Sequence, residues 1–164
     1  MVDVFIGVGS NINPEENIRL ALQRLSEEFE LVKVSSVYES PAVGFIGPPF
    51  LNMVAAIATG KTLSDVVQSL KNIEAESGRI RGGPRFADRT LDLDLLLYGE
   101  YCTVTEELEL PRPEMIKQAF ILKPMAEIAG GRMHPQLGVT YSLLWDQFGH
   151  ETQTIERREV KGLL

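Results

Sequence analysis

An arginine-rich segment is the first part of the sequence that could do chemistry. It surrounds Gly82-Gly83-Pro84, and its basic members are Arg79, Arg81, Arg85 and Arg89. Guanidinium groups make bidentate hydrogen bonds to phosphate oxygens, so the segment predicts a polyanion site in a chain that is acidic elsewhere. The alternative is a solvated basic loop that balances the nearby Glu74 and Glu76, and arginine density alone does not decide between them.

A pair of aspartates follows directly. Asp92 and Asp94 lie in a segment that reads as a strand, where side chains alternate with a period of two, so both carboxylates project from one face with Cα atoms about 6.5–7 Å apart. Two acids on one face repel unless a cation neutralises them, and Mg²⁺ prefers one or two carboxylates with phosphate oxygens and water. An isolated Asp-x-Asp is more often a solvated strand face. The adjacent arginines favour a magnesium platform.

This combination indicates phosphoryl or pyrophosphoryl transfer, in which positioning and charge neutralisation supply most of the catalysis. The sequence lacks both G-x-x-x-x-G-K-[ST] and G-x-G-x-x-G, so it does not use the usual phosphate-binding loops. Cys102 has no basic neighbour in sequence and reads as a small packing residue. His134 and His150 lack metal-ligand spacing and are expected to be structural or surface residues.

The elements that must position these groups follow from hydrophobic periodicity. We predict strands over 2–8, 31–38, 50–59 and 91–98, a helix that begins at Pro14, and a second helix over 62–77. Two Gly- and Pro-rich loops, 40–49 and 79–90, separate them and are expected at one end of the molecule. The order strand, helix, strand, strand, helix, strand predicts an α+β fold, a ferredoxin-like sandwich with a mostly antiparallel sheet flanked by helices.

The remaining third of the chain gives a weaker pattern. Gly99-Glu100 reads as a turn from the last long strand into a short partner strand near 101–104. Farther on we expect a helical turn over 114–118, a mixed apolar stretch over 120–128 and a short helix over 142–148. The charged segment 151–164 is expected to form a peripheral strand or a frayed tail.

Composition sets the broad class. A chain of 164 residues with 44% hydrophobic residues can close one sizeable core, so we predict a single domain over 1–164. A net charge of −7 argues against binding to nucleic acid or to a membrane surface. The lone Cys102, the strand-like start and the lack of a long apolar run predict a cytoplasmic protein.

The segment 85–99 resembles the signature of the 6-hydroxymethyl-7,8-dihydropterin pyrophosphokinase family, whose usual form is arginine, tryptophan, Gly-Pro and then Arg-Thr-Leu-Asp-Leu-Asp. The resemblance extends over most of residues 1 to about 128. It includes Ile6-Gly-Val-Gly-Ser-Asn11, Ser36-Val-Tyr-Glu-Ser-Pro41, Phe50-Leu-Asn52, Ile73-Glu74, Gly78-Arg-Ile-Arg81 and Ala119-Phe120. It implies an enzyme that transfers pyrophosphate from ATP to the hydroxymethyl group of a reduced pterin, on the way to folate.

The resemblance also implies roles for individual residues. Asp92 and Asp94 would bind two Mg²⁺ ions that bridge the ATP phosphates, with Arg79 and Arg89 as catalytic contacts to the triphosphate. The implied nucleotide site comprises Glu74, Arg79, Arg81, Arg85, Arg89 and Arg112. The implied pterin site comprises Ser40, Pro41, Ala42, Val43, Phe50, Asn52 and Phe120, the two phenylalanines stacking on the ring. The reaction would be in-line attack of the hydroxymethyl oxygen on the β-phosphorus, with AMP leaving.

The chain departs from the usual family form at several positions. Phe86 stands for the tryptophan, Ala87-Asp88 for Gly-Pro, Arg112 for a histidine and Gln118 for a basic residue. These changes bear on loop closure and nucleotide affinity. They leave open a second interpretation, a pterin- or nucleotide-binding relative without turnover, and a third, an interaction module with the same fold.

Overall fold

A six-stranded sheet forms the centre of the molecule, in a computed structural model that describes residues 1–78, 91–149 and 152–163. Its strands are β1 (Val2–Ser10), β2 (Glu30–Val34), β3 (Val37–Ser40), β4 (Phe50–Thr59), β5 (Asp92–Tyr98) and β8 (Glu156–Arg158). The order is β5-β1-β4-β3-β8, with β2 also paired to β4, and every pairing is antiparallel. The predicted α+β sandwich with a mostly antiparallel sheet is confirmed.

Helices cover both faces of this sheet. The helices are α1 (Pro14–Glu28), α2 (Leu63–Glu76), α3 (Ala119–Ala129) and α4 (Tyr141–Asp146), with a 3₁₀ helix over Pro113–Ile116. Pro14 occupies the first turn of α1, where its missing N–H costs no hydrogen bond. Thr62 caps α2, because its hydroxyl accepts a hydrogen bond from the Asp65 amide.

Alternation along β1 separates two hydrophobic cores. Val4, Ile6 and Val8 belong to a first core cluster that includes the buried faces of α1 and α2. Phe5 belongs to a second core cluster that includes Leu122 of α3 and other buried residues of α3 and α4. The side chains of one strand therefore hold helices on opposite faces of the sheet.

The strand predicted over 31–38 is wrong in its continuity, because it is two strands. Val34 pairs with Ala55 and Tyr38 with Asn52, so the outer strand carries one residue more than β4 over the same interval. At the break, the Ser35 amide donates to the Val54 carbonyl and the Ser35 hydroxyl accepts from the Val54 amide. Local hydrogen bonds thus absorb the extra residue.

The short strand predicted near 101–104 as a partner of the preceding long strand is also wrong in its pairing. The segment forms β6 (Thr103–Val104), which pairs with β7 (Glu109–Leu110) in a separate two-stranded sheet. Gly99 takes a positive φ of 55° and donates its amide to the Asp3 carbonyl, which turns the chain away from β5.

The last part of the chain is better ordered than its pattern suggested. The mixed apolar stretch is helix α3, with Pro124 inside it, and the charged tail contributes β8, which pairs with β3. None of the helices in the described ranges is both long enough and apolar enough to cross a membrane.

Candidate active site

One row of residues crosses the sheet on the face that carries α3. Asp92 on β5 pairs with Gly9 on β1, Gly9 pairs with Asn52 on β4, and Asn52 pairs with Tyr38 on β3. Residues directly opposite one another in an antiparallel sheet project to the same face. Two strand spacings of about 4.8 Å separate the aspartate from the asparagine, or about 10 Å.

Glycines form the floor between the aspartates and Asn52. Gly7 pairs with Asp94 and Gly9 with Asp92, and both glycines are partly exposed although they lie in a central strand. A Cβ at Gly9 would lie 3.3 Å from Asn52 Oδ1 and 3.9 Å from Phe50 Cδ1. The absence of side chains here keeps the sheet surface open. Sequence reasoning did not use these glycines, although their spacing of two within a strand was a usable signal.

Asp92 and Asp94 lie on one face of β5, as predicted, and both are half-buried. Asp94 Oδ1 lies 3.3 Å from the Arg112 guanidinium, whose Nε is also 3.6 Å from Glu114. The Arg112 amide donates to the Leu96 carbonyl at 3.1 Å, which fixes the start of the side chain beside the edge strand. The structure therefore brings one predicted nucleotide-binding residue to a predicted metal ligand.

Glu74 reaches the same strand from the opposite side of the sheet. Its side chain is buried, at 7% exposure, and its Oε2 accepts a hydrogen bond of 2.9 Å from the Leu93 amide. Because β5 is an edge strand, amides on its outer side need partners from outside the sheet. Glu74 thus holds the backbone directly between the two aspartates, and an exposed helix-surface carboxylate is excluded.

Asn52 is buried at the other end of the row. Its Nδ2 donates to Ser40 Oγ at 2.8 Å and to the Tyr38 carbonyl at 3.3 Å, which leaves Oδ1 directed toward the glycine floor. Ser40 is itself 4% exposed. Two predicted pterin-site residues, Asn52 and Ser40, are therefore in direct contact.

The loop after β3 is mostly exposed and is attached to the sheet at two places. Pro41 and Val43 are exposed and Ala42 is half-buried. The Asn11 side chain donates to the Pro48 carbonyl, and the Phe45 ring packs edge-on against Phe50 with centroids 6.4 Å apart. Phe45 was not singled out from the sequence, because an aromatic residue in a Gly/Pro-rich loop has no period to mark it.

Phe120 begins α3 on the same face of the sheet as the row. It is half-buried and packs against the second core cluster. The ring contact that the structure gives Phe50 is with Phe45, so stacking of a ligand between Phe50 and Phe120 stays a prediction.

Several predicted residues lie outside the described residues. They are Arg79, Arg81, Arg85 and Arg89, together with the departures Phe86, Ala87 and Asp88. Their roles stay predictions from the sequence.

The described part of the site fits a hard divalent cation bound together with phosphate. Asp92 and Asp94 offer carboxylate oxygens on one partly exposed face beside the open glycine floor. Within residues 1–78, 91–149 and 152–163, no group of three or more His, Cys, Asp or Glu side chains could hold a metal ion. A two-carboxylate site suits Mg²⁺, which takes its other oxygens from substrate phosphates and water.

Comparison with known proteins gives the same family that the motif suggested. The family described as 7,8-dihydro-6-hydroxymethylpterin-pyrophosphokinase (HPPK) matches residues 5–130. The 2-amino-4-hydroxy-6-hydroxymethyldihydropteridine pyrophosphokinase of Haemophilus influenzae is 36% identical over 148 residues, which cover 88% of this chain and 92% of that protein. The protein of the same name from Pseudomonas aeruginosa is 39% identical over 144 residues, covering 82% and 88%.

Solved structures agree on the fold. The crystal structure of wild-type Plasmodium falciparum HPPK-DHPS with pteroate matches with a TM-score of 0.69 at 11% identity. That match covers 89% of this chain but 44% of the longer one, so it supports the fold alone. With the family match over residues 5–130 and these relatives, the chain belongs to the 7,8-dihydro-6-hydroxymethylpterin-pyrophosphokinase family.

Proposed function

We propose that this chain transfers pyrophosphate from ATP, bound with two Mg²⁺ ions, to the hydroxymethyl group of 6-hydroxymethyl-7,8-dihydropterin. Pyrophosphate transfer to this pterin, a step of folate biosynthesis, is the activity of its family. The nucleotide donor, the metal and the residue roles are the proposal. The products would be AMP and the pterin diphosphate.

One observation carries this proposal: a single sheet face presents Asp92 and Asp94 at one end, glycines in the middle and Asn52 at the other end. A reduced pterin is flat and has both donors and acceptors on its edge, so an amide at the end of a smooth floor suits it. A phosphate chain with its cations suits the carboxylate end. The separation of about 10 Å between Asp92 and Asn52 places the two substrates side by side.

The residues of the chain would act mainly by positioning. Asn52 Oδ1 would accept a hydrogen bond from the pterin edge, while its Nδ2 stays on Ser40 and fixes the orientation of the amide. Glu74 would keep the backbone of β5 in place, so that both carboxylates face the phosphates. Bound Mg²⁺ would neutralise charge on the transferred group and hold it in line with the attacking hydroxyl.

Arg112 has a distinct part in this proposal. Its guanidinium balances Asp94 in the structure and would move to a phosphate oxygen when the nucleotide binds. An arginine retains its charge at any physiological pH and suits a bidentate phosphate contact. The histidine common at this position in the family would provide neither property in the same way.

The test is product identity under defined conditions. Purified protein, ATP, Mg²⁺ and reduced hydroxymethylpterin are incubated, and nucleotides and pterins are separated by chromatography. We expect AMP and a pterin diphosphate in equal amounts, formed only when both metal and pterin are present. ADP as the nucleotide product would exclude pyrophosphoryl transfer, and substrate binding without AMP release would support the non-catalytic relative instead.

A further inference from the structure

The first residues of α3 are held by a side chain from the far end of the sequence. Gln153 Oε1 accepts a hydrogen bond of 2.8 Å from the Ala119 amide, and Gln153 Nε2 donates one of 2.7 Å to the Lys117 carbonyl. Gln118, at the N-cap position of α3, makes no side-chain cap hydrogen bond of its own. Gln153 therefore does for α3 what a local cap does for most helices.

The residue next to Ala119 is Phe120. A helix end that lacks a cap frays within its first turn, and Phe120 lies in that turn. Backbone order at Ala119 therefore controls where the half-buried Phe120 ring sits relative to the glycine floor.

The same tail also reaches the other side of the row. Just after Gln153, the strand β8 pairs with β3, where Tyr38 is opposite Arg157 and Glu39 is opposite Glu156. An ion pair of 2.8 Å between Arg158 and Glu39 adds to that pairing. Strand β3 ends at Ser40, which contacts Asn52. A few residues of the tail thus join the start of α3 to the strand that carries Ser40.

We propose that Gln153 is a positioning residue for pterin binding: it sets the place of Phe120 by fixing the first turn of α3. This inference rests on the proposed function, and it lies outside residues 5–130, which the family match covers. The predicted roles of Asp92 and Asp94 in holding phosphate lie at the other end of the row. Loss of Gln153 should therefore weaken pterin binding selectively.

The far end of α3 offers a matched control. Glu127 accepts hydrogen bonds from the Ser36 amide and from the Ser36 hydroxyl, the latter at 2.7 Å. Ser36→Ala removes one hydrogen bond that holds the same helix, about two turns from Phe120. A general loosening of α3 would appear in both variants, whereas a local effect on Phe120 would appear only in Gln153→Ala.

The experiment compares wild type, Gln153→Ala, Gln153→Glu and Ser36→Ala as full-length chains. Calorimetry measures the Kd of reduced hydroxymethylpterin with a non-hydrolysable ATP analogue and Mg²⁺ present, and separately the Kd of the analogue. We expect Gln153→Ala to weaken pterin binding about three- to tenfold, the effect of one lost hydrogen bond, with analogue binding unchanged. Gln153→Glu keeps the acceptor for the Ala119 amide and should regain most of the affinity, while Ser36→Ala should bind pterin normally.

A second readout does not depend on the function. Hydrogen exchange at residues 119–122 of the ligand-free protein should accelerate in Gln153→Ala and stay normal in Ser36→Ala. Unchanged exchange and unchanged pterin affinity in Gln153→Ala would overturn the inference alone. A wild type that binds no pterin would overturn the proposed function, and the inference with it.

Discussion

Arg112 places its guanidinium 3.3 Å from Asp94, so a cation of the chain occupies the side of a carboxylate proposed to bind metal. The side chains are 31% and 33% exposed, and a pair this accessible to water contributes about 0.2–1 kcal/mol. A metal ion that approaches Asp94 without nucleotide must first compete with Arg112. Nucleotide phosphates remove that competition by giving the guanidinium another partner.

Arg112→Gln should therefore strengthen binding of a divalent cation to the nucleotide-free protein. We expect the Kd for Mn²⁺, measured by electron paramagnetic resonance as a substitute for Mg²⁺, to fall about two- to fivefold, the equivalent of a weak ion pair. Arg19→Gln removes an exposed ion pair with Glu15 on α1 and should leave Mn²⁺ binding unchanged. Equal Mn²⁺ affinity in wild type and Arg112→Gln would show that the arginine does not guard Asp94.

Asp92→Asn and Asp94→Asn should separate catalysis from stability. Each substitution keeps the size of the side chain but removes a charge that would hold Mg²⁺, so turnover should fall by several powers of ten at about tenfold per 1.36 kcal/mol. The thermal midpoint without ligand should hardly change for Asp92→Asn. It should fall slightly for Asp94→Asn, which loses its ion pair with Arg112. Near-normal AMP production in both variants would refute the magnesium assignment.

Glu74 gives a test of what its buried carboxylate does. Glu74→Ala removes the acceptor of the Leu93 amide, and a buried unsatisfied donor costs about 1–3 kcal/mol, so both the free energy of unfolding and the turnover should decrease. Glu74→Gln retains an acceptor oxygen and should recover most of both. A Gln variant that is stable yet binds ATP as weakly as the Ala variant would instead favour a direct, charge-dependent contact with nucleotide.

The sequence predicted those parts of the site that depend on local periodicity. Asp92 and Asp94 share a face because a strand has a period of two, and β4 begins and ends at Phe50 and Thr59 as its apolar pattern indicated. The burial of Glu74 was also within reach, since it lies four residues after Leu70 on the buried face of α2.

The remaining features depend on contacts between distant segments. Gln153 meets Ala119 across 34 residues of sequence, and no local pattern marks a glutamine as the cap of another helix. The break between β2 and β3 depends on register with β4, which Ser35 accommodates through Val54. Such features follow from the assembled sheet, in which each strand limits what its neighbours can do.

Gly9→Ala should impair the site without unfolding the protein. The new methyl group would lie 3.3 Å from Asn52 Oδ1, so the amide must shift by a few tenths of an ångström from the position proposed for pterin contact. Gly7→Ala is the matched control, because its methyl group would meet Leu96 and Asp94 at ordinary distances of 3.6 and 3.8 Å. Calorimetric titration should show weaker pterin binding in the Gly9 variant alone, and equal affinities in the two variants would argue against the glycine floor.

His134 makes stability depend on pH away from the site. Its Nδ1 accepts hydrogen bonds from the Gln136 and Leu137 amides, each at 3.2 Å, and burial lowers the pKa of the imidazole below its ordinary value of 6.5. An acceptor nitrogen must be unprotonated, so the folded state favours neutral histidine and the unfolded chain binds more protons at acidic pH. The stabilisation is thus complete above pH 6.5 and is lost as the pH falls from 6.5 through the lower pKa of the folded state.

His134→Asn isolates this contribution, because an asparagine oxygen can accept from the amides two and three residues on but does not titrate. Urea unfolding should be measured for both proteins at several pH values between about 7.5 and 5. We expect the free energy of unfolding of the wild type to fall more steeply below pH 6.5 than that of the variant, by at most about 1.4 kcal/mol per pH unit. All other titrating groups are common to the two proteins, so the difference between the curves belongs to His134. Parallel curves would mean that the imidazole is protonated equally in the folded and unfolded states, which its two accepted hydrogen bonds do not allow.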